Sequence, residues 1–449
     1  MQRGTRMNTD LTKGKIVRPL ILFSIPIIIG NIIQQMYSMV DLFLVGKFIG
    51  PEALSAVGSS CAVIVLITSI ILGLSMGSSV VFSYFFGARK EDEMKTSVFN
   101  AFVFVSAVAI IIVAIFFVFI NKTVQWMNLK GLAAEFMKEY LIIIYAGFIF
   151  VGIYNFLAAM MRSIGNTKIP LLFVAISAIL NIFFDVFFMA FLNMQVKGAA
   201  IATVLAQGIS ACAMIIYTLL KGQSIMPKGQ HFIIRRDIMK LIVENSFLTA
   251  IQQSIMNFGI LLVHGLVNSF GMFASAAFAI VVKIDAFAYM PAQDFGTAFT
   301  TYIAQNHGAK NKKRVIEGCK KAFMISAIFC GVVSIFIVIF ARKLVTLFIS
   351  ENQSEIISIA VGYLHIVGAT YIGIGILFLL YAVYRGLGKS EISIILTVIS
   401  LGTRVALAYI LSGNPTIGLK GIWWAIPIGW ALADIVGLGM LKREYHRKS

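Results

Sequence analysis

Long apolar segments fill most of the chain, and short polar or basic segments separate them. An α-helix needs about 20 mostly apolar residues to cross about 30 Å of hydrocarbon. Segments of this length predict twelve transmembrane helices, and therefore an all-α polytopic membrane protein. They run approximately over residues 16–43, 56–86, 97–120, 132–161, 169–192, 198–220, 238–267, 273–304, 318–340, 356–384, 392–411 and 418–441.

The second half of the chain repeats the first. The segment FGARKEDEMKTSVFNAF at 86–102 aligns with HGAKNKKRVIEGCKKAF at 307–323 at an offset of 221, and the offset later becomes 223, where MRSIGN aligns with YRGLGK. Six spans per copy is an even number, so both copies start on the same side of the membrane as parallel repeats, and the working site is expected between them. We predict two pseudo-symmetric six-helix bundles, with the N-lobe at 1–221, a cytoplasmic linker at 222–237 and the C-lobe at 238–449.

Composition and charge agree with a membrane protein. Hydrophobic residues make up 59% of the chain and charged residues 12%, and the mean hydropathy is +0.92, outside the range of soluble globular proteins. Most of the 37 Lys and Arg residues fall in the termini and in the connections on their side, which predicts both termini in the cytoplasm of a bacterium or archaeon with the chain in its cytoplasmic membrane. This bias accounts for the net charge of +18, so no nucleic-acid partner is expected. The sequence has no Walker-type nucleotide motif and no metal-like cysteine spacing, and we expect no cofactor.

A polar stripe in the first predicted helix ends in an acid. A charge in the middle of a span costs about 2.5–3.5 kcal/mol, so each such residue is a functional candidate. Gln34, Tyr37 and Asp41 are spaced to share one helix face. At 1.5 Å per residue, Asp41 lies roughly 35 Å from the cytoplasmic start of the helix, in its outer part.

A second group of polar residues is predicted at a similar depth. Asp185 follows Asn181 by one helical turn and lies roughly 26 Å along the fifth span, while Thr203 lies about 9 Å from the outer end of the sixth. Together with Asp41, these oxygen donors are suited to Na⁺, and the pair of acids is equally suited to carrying a proton. Alternatively, the acids are fixed hydrogen-bond partners, and the amide and hydroxyl are ordinary interhelical contacts.

The second copy does not duplicate this acid site. Under the alignment, Asn181 corresponds to Arg404. Arg404 and Asp434 each lie roughly 20 Å from their helix starts, and we predict that they form a structural ion pair. Lys283 and Asp285 are two residues apart and do not share a helix face; either is a candidate for contact with substrate.

The first span, with NIIQQMYSMVDLFLVGKFIGPEALSAVG, resembles the start of multidrug and toxic compound extrusion (MATE) transporters. Further matching motifs follow in order: FFGARKED, AAMMRSIGNTKIP, LNIFFD, VKGAAIATVLAQ and AQNHGAKNKKR. The resemblance covers essentially the whole chain. It implies a V-shaped MATE fold of two six-helix lobes around a central cavity, and antiport of organic cations against Na⁺ or H⁺.

Within this family the chain is most similar to the DinF-like and MepA-like branch. The resemblance implies an N-lobe cation site at the four positions already selected by depth, Asp41, Asn181, Asp185 and Thr203. It also implies that Pro26 bends the first helix on protonation. The NorM-like branch carries acids in the seventh and tenth spans, whereas this chain has Gln252 and Gln253 in the seventh and no acid in the YIGIGILFLLYAVY segment of the tenth.

These observations predict a secondary active multidrug efflux antiporter rather than an enzyme. The expected partners are amphiphilic cationic drugs or dyes and membrane lipids, with the chain acting as a monomer. One alternative is a lipid or oligosaccharide flippase of the same superfamily, favoured if Lys283 and Arg404 make the cavity basic. Alternatives of another class are a non-transporting receptor or an intramembrane enzyme, and the latter lacks a clear nucleophile and base at one depth.

Overall fold

The computed structural model describes residues 9–127, 129–222, 225–414 and 416–447. Within these ranges the regular structure is helical and contains no β-strand. The α-helices are α1 (Val17–Phe48), α2 (Pro51–Gly87), α3 (Glu91–Val118), α4 (Ile120–Trp126), α5 (Leu132–Ser163), α6 (Lys168–Val186), α7 (Gln195–Lys221), α8 (Arg236–Asn268), α9 (Met272–Gly308), α10 (Lys312–Thr346), α11 (Ser354–Ile366), α12 (Tyr371–Gly386), α13 (Ser390–Ser412) and α14 (Leu419–Arg447).

Over the described residues, twelve helical stretches are long and apolar enough to cross a membrane. This confirms the predicted all-α membrane protein of twelve spans. Two spans are not continuous α-helices: α6 continues into a π-helix at Phe187–Phe191, and α11 joins α12 through a 3₁₀ turn at Gly368–Thr370. Several helices extend beyond the predicted apolar segments, because backbone hydrogen bonding continues into the polar region where hydropathy falls. The second span, for example, begins at Pro51, a residue whose fixed φ suits the first turn of a helix.

The repeat is visible in the backbone as well as in the sequence. Four pairs of equivalent residues have a positive φ, namely Gly50 with Gly271, Arg89 with Lys310, Gly165 with Gly388, and Gln195 with Gly418. At Gly165, with φ +88°, a Cβ atom would lie 2.1 Å from the carbonyl oxygen of Thr9. Only glycine therefore fits this turn without a shift of the neighbouring backbone.

The chain divides into two compact units. Unit 1 contains the residues up to Leu11 and Leu22–Ala250, and unit 2 contains Thr12–Ile21 and the residues from Ile251 onward. The helices α1 and α8 thus each contribute residues to both units. The lobe boundaries that we predicted from the repeat alone remain a prediction.

Small residues allow close helix packing inside each unit. In unit 1, a Cβ atom on Gly77 of α2 would lie 2.4 Å from the carbonyl oxygen of Asn245 on α8. In unit 2, a Cβ atom on Gly429 of α14 would lie 2.4 Å from the carbonyl oxygen of Ser400 on α13. Membrane helices have no hydrophobic drive to associate within lipid, so this close backbone approach supplies much of their packing.

The connection from α7 to α8 is held against α3 within unit 1. Asn100 donates from Nδ2 to the carbonyl oxygen of Ile233 at 2.8 Å, and its Oδ1 accepts from the backbone N–H of Arg235 at 3.1 Å. Nε2 of His231 lies 3.0 Å from Asp92 Oδ1. Residues 231–235 of the basic linker are therefore held in place by contacts with α3.

Candidate ion and substrate sites

The structure brings the predicted acid-site residues of unit 1 together. Asp41 comes from α1, Asn181 and Asp185 from α6, and Thr203 from α7. Nδ2 of Asn181 donates to Oγ1 of Thr203 at 3.3 Å, and Asp41 is close enough to Asp185 for the two charges to interact. Asp41, Asn181 and Asp185 are 9%, 2% and 0% exposed. Three helices thus place two carboxylates, an amide and a hydroxyl in one buried cluster, which we call the acid site.

Several oxygens of the acid site have no protein partner in the described part of the chain. Both carboxylate oxygens of Asp185, Oδ1 of Asp41 and Oδ1 of Asn181 are buried and accept no hydrogen bond. Leaving an ionised carboxylate buried in this way is costly, and a bound cation or a proton removes the cost. The acid site is therefore chemically suited to taking up positive charge.

The donor set of the acid site consists of oxygen atoms only. Over the described residues, no group of three or more His, Cys, Asp or Glu is arranged to hold a metal ion. Two carboxylates with an amide and a hydroxyl form a hard site, suited to an alkali cation rather than a transition metal. Asp185 also lies two residues before the π-helix, a local distortion of the kind that is frequent at functional sites.

Two neighbours of the acid site were missed by the sequence reasoning. Tyr140 on α5 is 4% exposed and lies close enough to Asp41 and Asp185 to interact with both charges. Gln207 interacts with Tyr37. Gln207 carried a sequence signal, because it follows Thr203 by one helical turn. Tyr140 aligns at the offset of 223 with Tyr363, but the contact of Tyr363 with an acid is visible only in the structure.

The remaining predicted residues of α1 lie near the acid site or along the same helix. Tyr37 is half-buried and interacts with the side chain of Gln34, which is exposed. Pro26 is buried inside α1, and the helix continues through it. Because proline has no N–H, α1 lacks the hydrogen bond that residue 26 would otherwise donate to the carbonyl oxygen of Leu22. This turn of α1 therefore bends more easily than its neighbours.

Unit 2 contains a different polar cluster around Asp285 of α9. Asp285 is 6% exposed, and its Oδ2 accepts a hydrogen bond of 2.5 Å from the hydroxyl of Tyr363. Its Oδ1 accepts from the hydroxyl of Tyr371. Tyr363 lies near the end of α11 and Tyr371 is the first residue of α12. The carboxylate of Asp285 therefore accepts hydrogen bonds from both α11 and α12, the two helices that the 3₁₀ turn joins in the tenth span.

The predicted ion pair between Arg404 and Asp434 is wrong. Over the described residues, no ion pair joins them, and Nε of Arg404 and Oδ1 of Asp434 are both buried without a hydrogen-bond partner. The charge of Arg404 instead acts on Asp285, while Asp434 packs beside Gly373. Equal depths along two helices do not fix the rotation of each helix about its axis, and this rotation directs the two side chains apart.

Lys283 and Asp285 lie on different faces of α9, as their spacing predicts. Lys283 is exposed and Asp285 is buried. The contacts of Asp285 are with tyrosine hydroxyls of α11 and α12, so this residue holds neighbouring helices together. Whether either residue touches a substrate stays a prediction.

Twelve spans built from two repeats, with buried acids within one repeat, are typical of membrane transporters. The family model MatE matches the chain twice, at residues 26–187 and 248–410. The chain belongs to the MATE family, whose members are transporters and not enzymes. The two matches fall one in each half, as the internal repeat requires.

Relatives and solved structures extend over almost the whole chain. The probable multidrug resistance protein YpnP of Bacillus subtilis is 28% identical over 429 residues, which cover 95% of this chain and 94% of that protein. The probable multidrug resistance protein NorM of Thermotoga maritima is 27% identical over 436 residues, covering 95% and 91%. The multidrug export protein MepA of Staphylococcus saprophyticus is 20% identical over 428 residues, covering 95% and 93%. A transporter of the MOP superfamily from Pyrococcus furiosus has a TM-score of 0.93 and 26% identity, covering all of both chains.

These comparisons confirm the resemblance drawn from the motifs. The chain is a multi-pass membrane protein of the MATE family. Relatives bearing the names NorM and MepA both align with nearly all of it.

Proposed function

We propose that this protein is a secondary active multidrug exporter that exchanges amphiphilic organic cations for H⁺ or Na⁺. The observation that carries the proposal is the acid site of unit 1, where Oδ1 of Asp41 and both carboxylate oxygens of Asp185 are buried without a partner among the described residues. The names of its relatives, multidrug resistance and multidrug export proteins, favour drugs or dyes as the exported substrates. No cofactor and no nucleic acid takes part in this scheme.

In the proposed cycle, the acid site takes up a proton or a sodium ion from outside. The ion neutralises charge between α1 and α6, so the contact between these helices differs in the loaded and empty states. Asn181 and Thr203 supply further oxygen ligands when the ion is Na⁺, while Tyr37 and Tyr140 orient the two acids. The missing hydrogen bond at Pro26 lets α1 bend as the charge changes.

Export requires that ion and drug act on one two-state scaffold. The ion must bind better to the state that releases drug outward, and the drug to the state that faces inward, because equal affinity for both states shifts nothing. The acid site without its ion carries negative charge, which attracts a cationic drug. Uptake of the ion neutralises this charge, and the drug is released. Gln34 beside Tyr37, and Lys283 and Asp285 in unit 2, are the proposed supporting residues for substrate.

We propose that the protein works as a monomer in the cytoplasmic membrane of a bacterium or archaeon, with both termini in the cytoplasm. The distribution of Lys and Arg supports this orientation. Membrane lipids surround the exposed apolar helix faces.

The test is dye efflux from proteoliposomes under an imposed pH gradient or an imposed Na⁺ gradient, each applied separately. Wild type is compared with Asp41→Asn and with Glu244→Gln, which removes an exposed acid of the same unit. Efflux under one gradient that is lost only in Asp41→Asn identifies both the antiport and its ion. Wild-type efflux in Asp41→Asn would refute the assignment of the acid site.

A lipid or oligosaccharide flippase of the same superfamily is the second candidate. The observation that favours it is Arg404, a basic residue of unit 2 that has no ion-pair partner among the described residues. Absence of efflux under both gradients, together with movement of a fluorescent lipid between leaflets, would favour the flippase.

A further inference from the structure

Arg404 is a charged residue inside a span that the protein leaves unsatisfied. It lies on α13, about 21 Å along the helix from Ser390. A guanidinium carries five N–H donors, yet within the described chain Arg404 makes no hydrogen bond or ion pair, and its Nε is buried. Charged residues inside membrane spans are costly and mark substrate or ion pathways. The donors of Arg404 therefore need an acceptor from outside the protein.

Nearby acids do not supply this acceptor. Each carboxylate oxygen of Asp285 already accepts a tyrosine hydroxyl, from Tyr363 and from Tyr371. Tyr363 is itself fixed against Trp423, with ring centroids 4.8 Å apart. Asp285 is thus held by two helices, and it balances the charge of Arg404 without occupying its N–H groups.

The side chain of Arg404 points into unit 2 rather than into lipid. Its charge acts on Asp285, Tyr289 and Tyr363, of which Asp285 and Tyr363 are buried. The side chain as a whole is only partly buried, so part of the guanidinium remains accessible. Part of the donor set is therefore accessible to a ligand.

We propose that Arg404 binds the anionic group, a carboxylate or a phosphate, of an amphiphilic substrate that also carries a positive charge. This inference rests on the proposed export function and names a further substrate class for it. The planar guanidinium matches a carboxylate or phosphate in a bidentate arrangement. Because the charges of Asp285 and Arg404 interact, a substrate that carries both signs of charge fits this region better than a pure anion.

The test uses two dyes that differ only at one carboxylate: tetramethylrhodamine, a zwitterion, and its methyl ester, a cation. Binding of each dye is measured by fluorescence anisotropy to the full-length protein in nanodiscs of zwitterionic lipid without a gradient. We expect Arg404→Gln to weaken binding of the zwitterion about tenfold or more, and to leave binding of the ester within about twofold. Arg404→Lys, which keeps the charge but loses the fork, should give an intermediate loss for the zwitterion.

Lys420→Gln is the matched control, because it removes one positive charge from an exposed position of unit 2. It should change binding of neither dye. Size-exclusion profiles and melting temperatures establish whether each variant is folded. If Arg404→Gln does not fold, Arg404→Lys serves as the test variant. Equal effects of Arg404→Gln on both dyes, or a wild type that does not bind the zwitterion, would overturn the proposal.

Competition distinguishes the two sources of the anionic group. Displacement of the zwitterionic dye by dihexanoylphosphatidylcholine and not by benzoate assigns the site to lipid phosphates, and the reverse result assigns it to carboxylates. Displacement by neither compound counts against an anion site. Efflux of the ester dye is measured with the same protein variants in proteoliposomes. If efflux is intact and Arg404 has no role in binding, only the present inference is overturned. If binding depends on Arg404 but no efflux occurs, only the proposed export function is overturned.

Discussion

Asp185→Asn separates the ion-binding role of the acid site from a structural role. Asp185 is 0% exposed, and neither of its carboxylate oxygens has a hydrogen-bond partner in the described part of the chain. The substitution removes its charge while keeping the size of the side chain. A fixed hydrogen-bond acceptor would lose stability on this change. An ion ligand should instead lose only the stabilisation that the bound ion provides.

The size of this stabilisation follows from mass action. An ion present at about 100 times its dissociation constant stabilises the folded protein by about 2.7 kcal/mol. With an unfolding entropy of about 2.1 cal/mol/K per residue over the whole chain, this corresponds to about 3 °C in the melting temperature. Wild type should therefore gain about 3 °C on saturation with its coupling ion, and Asp185→Asn should gain almost none.

The assay is thermal unfolding in detergent, with NaCl replaced stepwise by KCl at constant ionic strength, and a second series that acidifies the buffer. Glu244→Gln is the control, because Glu244 forms only an exposed pair with Lys240, worth less than about 1 kcal/mol. It should keep the full wild-type response. An Asp185→Asn protein whose melting temperature responds to the ion as wild type does would refute the reasoning.

Three further predictions follow from other contacts. Tyr371→Phe removes one hydrogen bond to Asp285 and should lower the free energy of unfolding by about 1.5–3 kcal/mol, measured by denaturant unfolding. Asn181→Arg copies into unit 1 the arginine of unit 2, and should place a permanent cation beside Asp185; we expect ion-dependent stabilisation and efflux both to be lost while folded protein remains. Asn100→Ala removes two hydrogen bonds to the linker, and about 1 kcal/mol for each predicts faster tryptic cleavage of the linker, by about tenfold or more.

Each of these predictions has its own control. In the background of Asp285→Asn, Tyr371→Phe should cost clearly less than alone, and an equal cost in both backgrounds would show that the two residues are not coupled. Asn181→Gln keeps an amide and should retain part of the ion response; retention of the full response in Asn181→Arg would contradict the acid site. Thr416→Ala lies far from the linker in the sequence and should leave tryptic cleavage unchanged, whereas unchanged cleavage in Asn100→Ala would show that the linker is held by other contacts.

The sequence predicted those features that depend on local pattern. Hydropathy identified the twelve spans because each must be apolar over its own length, whatever its neighbours are. Depth counted along single helices grouped Asp41 with Asp185, because both residues lie far along helices that we predicted to start on the same side of the membrane. The repeat predicted the matching turns at Gly165 and Gly388, which both have a positive φ.

Features that depend on how helices turn about their axes were not predicted. The pairing of Arg404 with Asp434 failed for this reason, since depth alone places them together while the side chains point apart. Tyr140 was missed because a tyrosine in an apolar helix carries no local signal of its own. Its role becomes visible only through the acids that α1 and α6 bring towards it.

The two copies keep one framework and differ in charge. Tyr140 and Tyr363 are equivalent positions, and each lies beside an acid. Asn181 of unit 1 and Arg404 of unit 2 are also equivalent positions. Asn181 lies with two acids, Asp41 and Asp185, whereas the acid near Arg404 is Asp285, whose two oxygens already accept hydrogen bonds. The positive charge that balances the acid site of unit 1 must come from a bound ion, which can be exchanged. In unit 2 the positive charge belongs to the side chain of Arg404 and cannot leave. This difference favours a division of roles, in which ion exchange takes place in unit 1 and the fixed cation of unit 2 recognises a group on the substrate.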